Sequence, residues 1–141
     1  MFTKALSFDD VLLRPQYSNI VTRSDVGLSV DIETPRAMHL PIFASPMDTI
    51  MSPLMAQRVF EAGGRGILHR YCTIQEQVTN VALCRGAEVF AAVGVTRDWF
   101  ERAEALVEAG VAGLCVDVAH GHHLVVKSAV EKLARTFDGV H

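Results

Sequence analysis

Short apolar segments recur along most of this chain at a nearly constant spacing. They centre near residues 42, 67, 90 and 114, about 24 residues apart, and helix-like segments fill the intervals. Each segment is apolar on both faces, as in a parallel strand that is covered on both sides. Such an alternation predicts βα units around a parallel sheet. We expect strands over residues 41–45, 66–69, 89–93 and 113–116.

Helix start and stop signals separate these strands. Ser52 precedes Pro53, which is typical of an N-cap followed by proline in the first turn. Thr73 and Glu76 have the spacing of a capping box, and Thr96 is expected to cap a third helix. Glycines at the far ends stop the helices. We predict helices over residues 54–62, 73–83, 97–109 and 124–136.

One stretch of the chain is repeated. Residues 61–67 read EAGGRGI and residues 108–114, which lie 47 residues or two βα units later, read EAGVAGL. Both sequences suit a helix end, a glycine cap and a buried strand. Four βα units at this spacing make half of a (β/α)8 barrel. A doubly wound open sheet is the alternative fold, but the GxGxxG motif typical of such folds does not follow the first strand.

The fold class is therefore α/β, a (β/α)8 TIM barrel of which this chain supplies an N-terminal arm and about four βα units. Residues 26–32 alternate apolar and polar side chains, as in a half-exposed strand, until Thr34-Pro35 breaks the pattern. We expect residues 1–40 to form an arm or hairpin over one end of the barrel. Residues 41–141 would be its first half, because a whole barrel needs roughly 200 residues or more.

Composition excludes several classes of function. The chain has 141 residues and a net charge of −3, which gives no bulk attraction to nucleic acid. Its apolar runs have strand length, and its N-terminus lacks the features of a signal peptide, so we expect a cytoplasmic protein without a membrane partner. Cys72, Cys84 and Cys115 form no CxxC pair, which favours free thiols over disulfides or a zinc site.

Candidate functional residues follow the strands, because active sites of βα barrels lie at the carboxyl ends. After the first strand, Ser45, Met47 and Asp48 could hold the base and ribose of a nucleotide, or could simply pack the barrel mouth and satisfy the turn. After the second, His69-Arg70-Tyr71 suits a phosphate or an adenine ring. A structural histidine is the alternative there.

After the fourth strand comes Asp117, followed by three histidines. A carboxylate at a buried strand end is costly unless it is paired, so Asp117 is expected to meet a ligand such as ribose hydroxyls. Two alternatives stay open, a helix-capping aspartate and a metal site with the histidines. The metal site is disfavoured because histidines so close in sequence cannot all point one way. We therefore predict no bound metal there.

Several segments together resemble the IMP dehydrogenase and GMP reductase family, in order and over essentially the whole chain. They are LSFDDVLL (6–13), TRSDV (22–26), ASPMDT (44–49), GGRGILHR (63–70) and DVAHGH (117–122). The resemblance implies that Ser45 and Met47 contact the purine nucleotide, which is IMP, XMP or GMP. It implies that Asp117, Val118 and Ala119 contact the nicotinamide half of NAD or NADP.

The same resemblance implies three further cofactor residues. Arg70 stands where many relatives have lysine or histidine near the dinucleotide. Thr22 and Arg23 match a segment that can reach the cofactor of a neighbouring subunit, since the family is usually tetrameric. The catalytic cysteine of the family, which attacks C2 of the purine, is expected beyond His141. A K⁺ ion, where the family uses one, would be bound by that later half of the barrel.

Three interpretations of function remain. Most IMP dehydrogenases insert CBS domains before the third strand, whereas here residues 83–88 bridge that point directly. This arrangement and the segment 117–119 favour GMP reductase, which converts GMP and NADPH to IMP and ammonia. The segments 44–47 and 63–64 favour IMP dehydrogenase, which oxidises IMP to XMP with NAD, and we prefer it. The third interpretation is a non-catalytic half barrel that binds nucleotide or associates with itself.

Overall fold

A computed structural model describes residues 3–32, 34, 36–84 and 86–140. In it four strands alternate with four helices. The elements are β1 (Phe43–Ala44), α1 (Pro53–Glu61), β2 (Arg65–Leu68), α2 (Ile74–Leu83), β3 (Phe90–Val93), α3 (Trp99–Glu108), β4 (Gly113–Val116) and α4 (Leu124–Thr136). All strand pairs are parallel, and the order in the sheet is β1-β2-β3-β4.

This strand order decides between the two expected architectures. A doubly wound sheet reverses its strand order at a switch point, whereas the strands of a barrel follow one another around the sheet. The observed order runs in sequence without a reversal. The chain is therefore an α/β protein that contains four consecutive units of a (β/α) barrel, as predicted.

The N-terminal segment differs from the sequence prediction. Residues 3–30 are exposed, and residues 26–32 form no strand. Val30 forms an isolated antiparallel bridge with Met38, through two backbone hydrogen bonds of 2.8 and 2.9 Å. An alternating pattern makes a strand only where a partner edge runs beside it. Pro35, in the predicted break, lies outside the described residues, and the division at residue 40 stays a prediction.

The repeated sequence produces a repeated structure. Gly63 and Gly110 both adopt left-handed backbone, with φ of 97° and 88°. In each case the glycine N–H donates to the carbonyl three residues back, and the following N–H donates to the carbonyl five residues back. These are the two hydrogen bonds of a Schellman motif. Two residues after each glycine, a backbone N–H donates at 2.9 Å to the carbonyl of the residue just before the preceding strand. These hydrogen bonds join Arg65 to Ile42 and Ala112 to Val89, and they align the new strand with the preceding one.

Two of the three predicted helix caps are confirmed. The Ser52 hydroxyl accepts from an N–H of α1, and Thr73 and Glu76 form a capping box on α2. Hydrogen bonds from Thr73 lower the pKa of the Glu76 carboxyl, as expected for a carboxylate that accepts at a helix start. The prediction of a Thr96 cap was wrong. Arg97 has a φ of 60°, which interrupts the helical backbone, and α3 begins two residues later.

The apolar core lies between the sheet and its helices. Helix α1 approaches β2 so closely that a Cβ on Gly66 would lie 3.0 Å from the Cα of Ala56. A methyl group at this position would therefore require α1 or its neighbours to shift by a few tenths of an ångström. The fully buried side chains of the core include Met51, Ala56, Leu68, Cys84, Val89, Ala91, Val93, Ala103 and Leu106.

A buried arginine closes the amino end of the sheet. Arg65, the first residue of β2, is 1% exposed and forms a 2.7 Å ion pair with Glu88, which precedes β3. It also donates to the carbonyls of Gly64 and Arg36, and its guanidinium lies 5.0 Å from the ring centroid of Phe60. Arg65 thus joins β2, β3, α1 and the N-terminal segment. The sequence signal is a cation at the start of an otherwise apolar strand, and the sequence predictions above do not include it.

A second buried polar group joins helices α2 and α3 to the sheet. The Gln77 side chain is fully buried, donates to the carbonyl of Ala92 at 2.9 Å and accepts from Arg102 at 2.7 Å. Because β2 ends at Leu68, the Ala92 carbonyl on that side of β3 lacks a strand partner, and the Gln77 amide takes its place. Arg102 also donates to the carbonyl of Cys72, so this network holds the loop after β2.

None of the helices in the described part of the chain has the length and apolar character that crossing a membrane requires.

Replacing Arg65 by Met should destabilise the protein by about 3 kcal/mol, because Glu88 would be left buried without its partner. Urea unfolding followed by circular dichroism measures this change in the free energy of unfolding. Arg58→Met is the matched control, since the Arg58–Glu61 ion pair is exposed and should contribute little. Equal unfolding midpoints for the two variants would contradict the assigned role of Arg65.

Candidate functional site at the carboxyl ends of the strands

The loop after β1 presents two of the predicted residues. Ser45 and Met47 are both exposed, Met47 to 49%. The Met47 N–H donates to the Ser45 carbonyl at 2.8 Å, and the Met47 carbonyl accepts from the N–H groups of Ile50 and Met51. Met51 is buried and anchors this turn to the core. Both side chains are thus placed at the carboxyl edge of the sheet and are free to meet a ligand.

An ion pair links the ends of two strands that are not neighbours. Arg70 follows β2 and Asp117 follows β4, and the Arg70 Nε lies 3.5 Å from the Asp117 Oδ2. A second contact, from Arg70 Nη2 to the Asp117 carbonyl, measures 3.1 Å. Both side chains are about one third exposed. The sequence-predicted cofactor residues Arg70 and Asp117 therefore lie together, although 47 residues separate them.

Gly94, which follows β3, lies beneath this ion pair. A Cβ at that position would lie 3.6 Å from the Arg70 Nη1, which is ordinary contact. A side chain larger than alanine would push the guanidinium away from Asp117. The small residue at the end of β3 thus lets Arg70 reach from β2 to β4.

Two buried nitrogen atoms at this edge have no hydrogen-bond partner among the described residues, namely Arg70 Nε and His69 Nδ1. The Nε is near Asp117 but is not aligned for a hydrogen bond. Buried polar atoms are nearly always satisfied in a complete structure. The Arg65 Nε at the opposite end of the sheet is likewise unmatched, so these atoms do not by themselves mark a ligand site. Tyr71 flanks both Arg70 and His69, with the Arg70 guanidinium 5.3 Å from its ring centroid.

A polar cavity of about 520 Å³ opens beside Arg70. It lies between the loop after β2 and the loop that leads into α3. The side chains that line it include those of Arg70, Tyr71, Arg97, Asp98, Trp99 and Arg102. Its volume is within the range of small-molecule sites, and three guanidinium groups face it.

The remaining residues after β4 have distinct positions. The Asp117 N–H donates to the Val93 carbonyl at 2.9 Å, so Asp117 ends the ladder between β3 and β4. Val118 is half-buried and Ala119 is exposed. The cap of α4 is His123, whose Nδ1 accepts from the Val125 N–H. The alternative of Asp117 as a helix cap is therefore wrong.

No cluster of three or more metal-binding side chains occurs among the described residues. His120 and His123 approach each other only edge to face, with ring centroids 6.4 Å apart. The alternative of a metal site at the histidines thus has no geometric support in the described segments.

Thr22 and Arg23 lie in the exposed N-terminal segment. Arg23 begins a single turn of 3-10 helix (Arg23–Asp25), and the Thr22 N–H donates to the Asp25 carboxylate at 3.1 Å. Among the described residues, no hydrogen bond or ion pair connects them to the strand ends. The structure does not bring them to Arg70 and Asp117, and their predicted role across a subunit boundary stays a prediction.

The three cysteines are unactivated thiols. Burial raises the pKa of Cys84 to about 11. Burial likewise raises the pKa of Cys72 and, together with the nearby charge of Asp117, that of Cys115. Nucleophilic cysteines have the opposite property, a lowered pKa in an electropositive environment.

Comparison with known proteins identifies relatives of this chain. The chain is 42% identical to inosine-5'-monophosphate dehydrogenase of Nitrosopumilus maritimus over 57% of its length, which covers 17% of that protein. It is 27% identical to the enzyme of the same name from Cryptosporidium parvum over 92% of its length, or 43% of that protein. It is 39% identical to GMP reductase of Leishmania donovani over 62% of its length, or 18% of that protein.

The chain thus spans less than half the length of these relatives. Residues 5–141 match the IMP dehydrogenase / GMP reductase domain. The match covers all four βα units and the ion pair between Arg70 and Asp117. This chain therefore belongs to the IMP dehydrogenase / GMP reductase family.

Proposed function

We propose that this chain is the nucleotide-binding part of a purine-nucleotide oxidoreductase, and that the reaction is the NAD-dependent oxidation of IMP to XMP. The observation that carries the proposal is the Arg70–Asp117 ion pair beside a polar cavity, at the edge of the sheet where βα barrels bind substrates. The relatives named IMP dehydrogenase support the direction of the reaction.

Each residue has a proposed task. Asp117 would accept hydrogen bonds from ribose hydroxyls, and Arg70 would hold its carboxylate in place. Val118 and Ala119 would contact the nicotinamide half, while Ser45 and Met47 would bind the purine nucleotide at the neighbouring strand end. NAD or NADP, when bound, would supply the group that accepts or gives up the hydride.

The covalent step requires a thiolate that adds to the purine. Cys72, Cys84 and Cys115 all have a raised pKa, so the described residues supply no such group. The part of the described residues in the reaction is to bind and orient the two nucleotides. The attacking thiol is expected in a separate part of the enzyme.

GMP reductase is the second candidate. Helix α2 and strand β3 are joined by residues 84–89 alone, so no CBS domains interrupt the barrel. The identity to the Leishmania donovani GMP reductase, 39%, lies between the 42% and 27% identities to the two dehydrogenases. In this case the enzyme would reduce GMP with NADPH and release ammonia.

A non-catalytic, self-associating half barrel is the third candidate. In the described sheet, β1 and β4 each pair on one side only, and apolar residues such as Phe43 and Leu124 are exposed beside them. Open strand edges and exposed apolar side chains favour association with further barrel units or with another copy. A homo-oligomer, with the tetramer of the family as the expected form, would be visible by light scattering.

Incubation of the complete enzyme, in which this chain is joined to the part that carries the attacking thiol, with IMP and NAD should produce XMP and reduced nicotinamide, measured by absorbance and by chromatography of the nucleotides. GMP with NADPH should give no IMP. If the second pair of substrates reacts and the first does not, the enzyme is a GMP reductase. If neither pair reacts although both nucleotides bind, the non-catalytic interpretation is correct.

Asp117→Asn and Ser45→Ala should affect different substrates. The first should raise the KM for the dinucleotide about 10-fold, because a charged hydrogen-bond acceptor is lost, and should leave the KM for the purine nucleotide unchanged. Ser45→Ala should raise the KM for the purine nucleotide and leave the KM for the dinucleotide unchanged. Asp138→Asn, which neutralises an exposed carboxylate elsewhere, serves as the control. Equal changes in both KM values for one variant would rule out the proposed division, in which Asp117 binds the dinucleotide and Ser45 binds the purine nucleotide.

Alkylation by iodoacetamide should label Cys84 at least about 100-fold more slowly at neutral pH than it labels an unstructured cysteine. With a pKa of about 11, roughly one Cys84 thiol in ten thousand is a thiolate at pH 7. The rate should rise as pH increases toward 11, and mass spectrometry of digests over time measures it. Rapid labelling of any of the three cysteines at pH 7 would reveal an activated thiol and contradict their exclusion as nucleophiles.

A further inference from the structure

The cavity beside Arg70 contains one arginine whose charge is not balanced. Of the three arginines that line it, Arg70 pairs with Asp117 and Arg102 pairs with Asp98 at 3.2 Å. Arg97 is exposed and forms no ion pair or hydrogen bond with any described residue. Since the two aspartates offset the other two arginines, the cavity retains the charge of Arg97.

The position of Arg97 is set by an uncommon backbone conformation. It is the one residue other than glycine, among those described, whose φ is positive, at 60°. This conformation is unfavourable for most side chains and is often found at functional sites. Its effect is to turn the chain sharply into α3, which places Arg97 at the rim of the cavity just before the helix begins.

Helix α3 adds to the positive potential. Its N-cap, Asp98, makes no hydrogen bond to a helix N–H among the described residues, because its carboxylate accepts from the Arg102 guanidinium instead. The first-turn N–H groups of α3 are therefore not capped by a side chain, unlike those of the other three helices. Free N–H groups at a helix start attract anions. Asp98 and Trp99, at the start of α3, line the same cavity as Arg97.

We propose that Arg97, together with the first turn of α3, binds a phosphate group of the dinucleotide cofactor in this cavity. The inference rests on the proposed function, which places the cofactor at Asp117. Arg70 is shared by both places: it contacts Asp117 and it lines the cavity. A dinucleotide with its ribose at Asp117 would therefore have its phosphates on the side of Arg70 where Arg97 lies. The phosphate could be the bridging diphosphate or the 2'-phosphate of NADP.

The test measures binding of NADH and NADPH to the intact protein by nicotinamide fluorescence. Arg97→Gly is the informative variant, because glycine accepts a φ of 60° without strain. Arg97→Lys keeps the charge, and Arg58→Ala removes an arginine from the exposed face of α1 as the matched control. Loss of a charged hydrogen bond predicts a dissociation constant about 10-fold higher for Arg97→Gly. The control should bind as the unchanged protein does, and Arg97→Lys should bind more tightly than Arg97→Gly.

The pattern of losses identifies which phosphate is bound. A loss for both cofactors supports the proposal with the bridging diphosphate, and a loss for NADPH alone supports it with the 2'-phosphate. Unchanged affinity of Arg97→Gly for both cofactors would overturn it. If the unchanged protein binds neither cofactor, the proposed function fails. In that case, displacement of a fluorescent nucleotide by inorganic pyrophosphate tests the anion site alone. The proposal is overturned if pyrophosphate causes no displacement, or if it displaces the nucleotide equally from Arg97→Gly and from the unchanged protein.

Discussion

The buried guanidinium of Arg65 is the contact on which the arrangement of this chain depends. It is the point where the starts of β2 and β3, helix α1 and the segment before β1 meet, and Glu88 neutralises it there. A buried cation is tolerated only where every neighbour supplies an acceptor or a charge. The amino end of the sheet is therefore built around a fixed set of contacts, and the strands leave it in a defined register.

Arg70, in the same polypeptide segment, has a different role at the carboxyl end of the sheet. Arg70 lies two residues beyond β2, is one third exposed and retains a donor without a partner. Arg65 also retains an Nε without a hydrogen-bond partner, but it is 1% exposed, whereas the Arg70 side chain is 32% exposed. This difference in burial separates a residue that stabilises the protein from one that is available to a ligand. In the proposed enzyme, the rigid end of the sheet supports the end that binds nucleotides.

Much of the fold could be predicted from the sequence because its signals are local. Ser52, Thr73 and the glycine after each helix act on backbone within a few residues, and the predicted elements followed from them. The Thr96 cap failed because the backbone is left-handed at Arg97, and the residue types around Thr96 do not indicate this conformation. The Arg65–Glu88 pair, the insertion of Gln77 beside β3 and the approach of Arg70 to Asp117 all join separate βα units. No pattern along the chain reports such contacts, although the strand-end rule placed Arg70 and Asp117 at the same edge of the sheet.

The repeat of 47 residues has a consequence for how this site could arise. Arg70 and Asp117 are themselves 47 residues apart, so they occupy equivalent positions in the two modules whose helix ends match so closely. If both modules descend from one sequence, these positions once carried the same side chain, and two guanidinium groups or two carboxylates would have repelled each other there. The ion pair then required the copies to become different at this position, as they also are at Arg65 and Ala112.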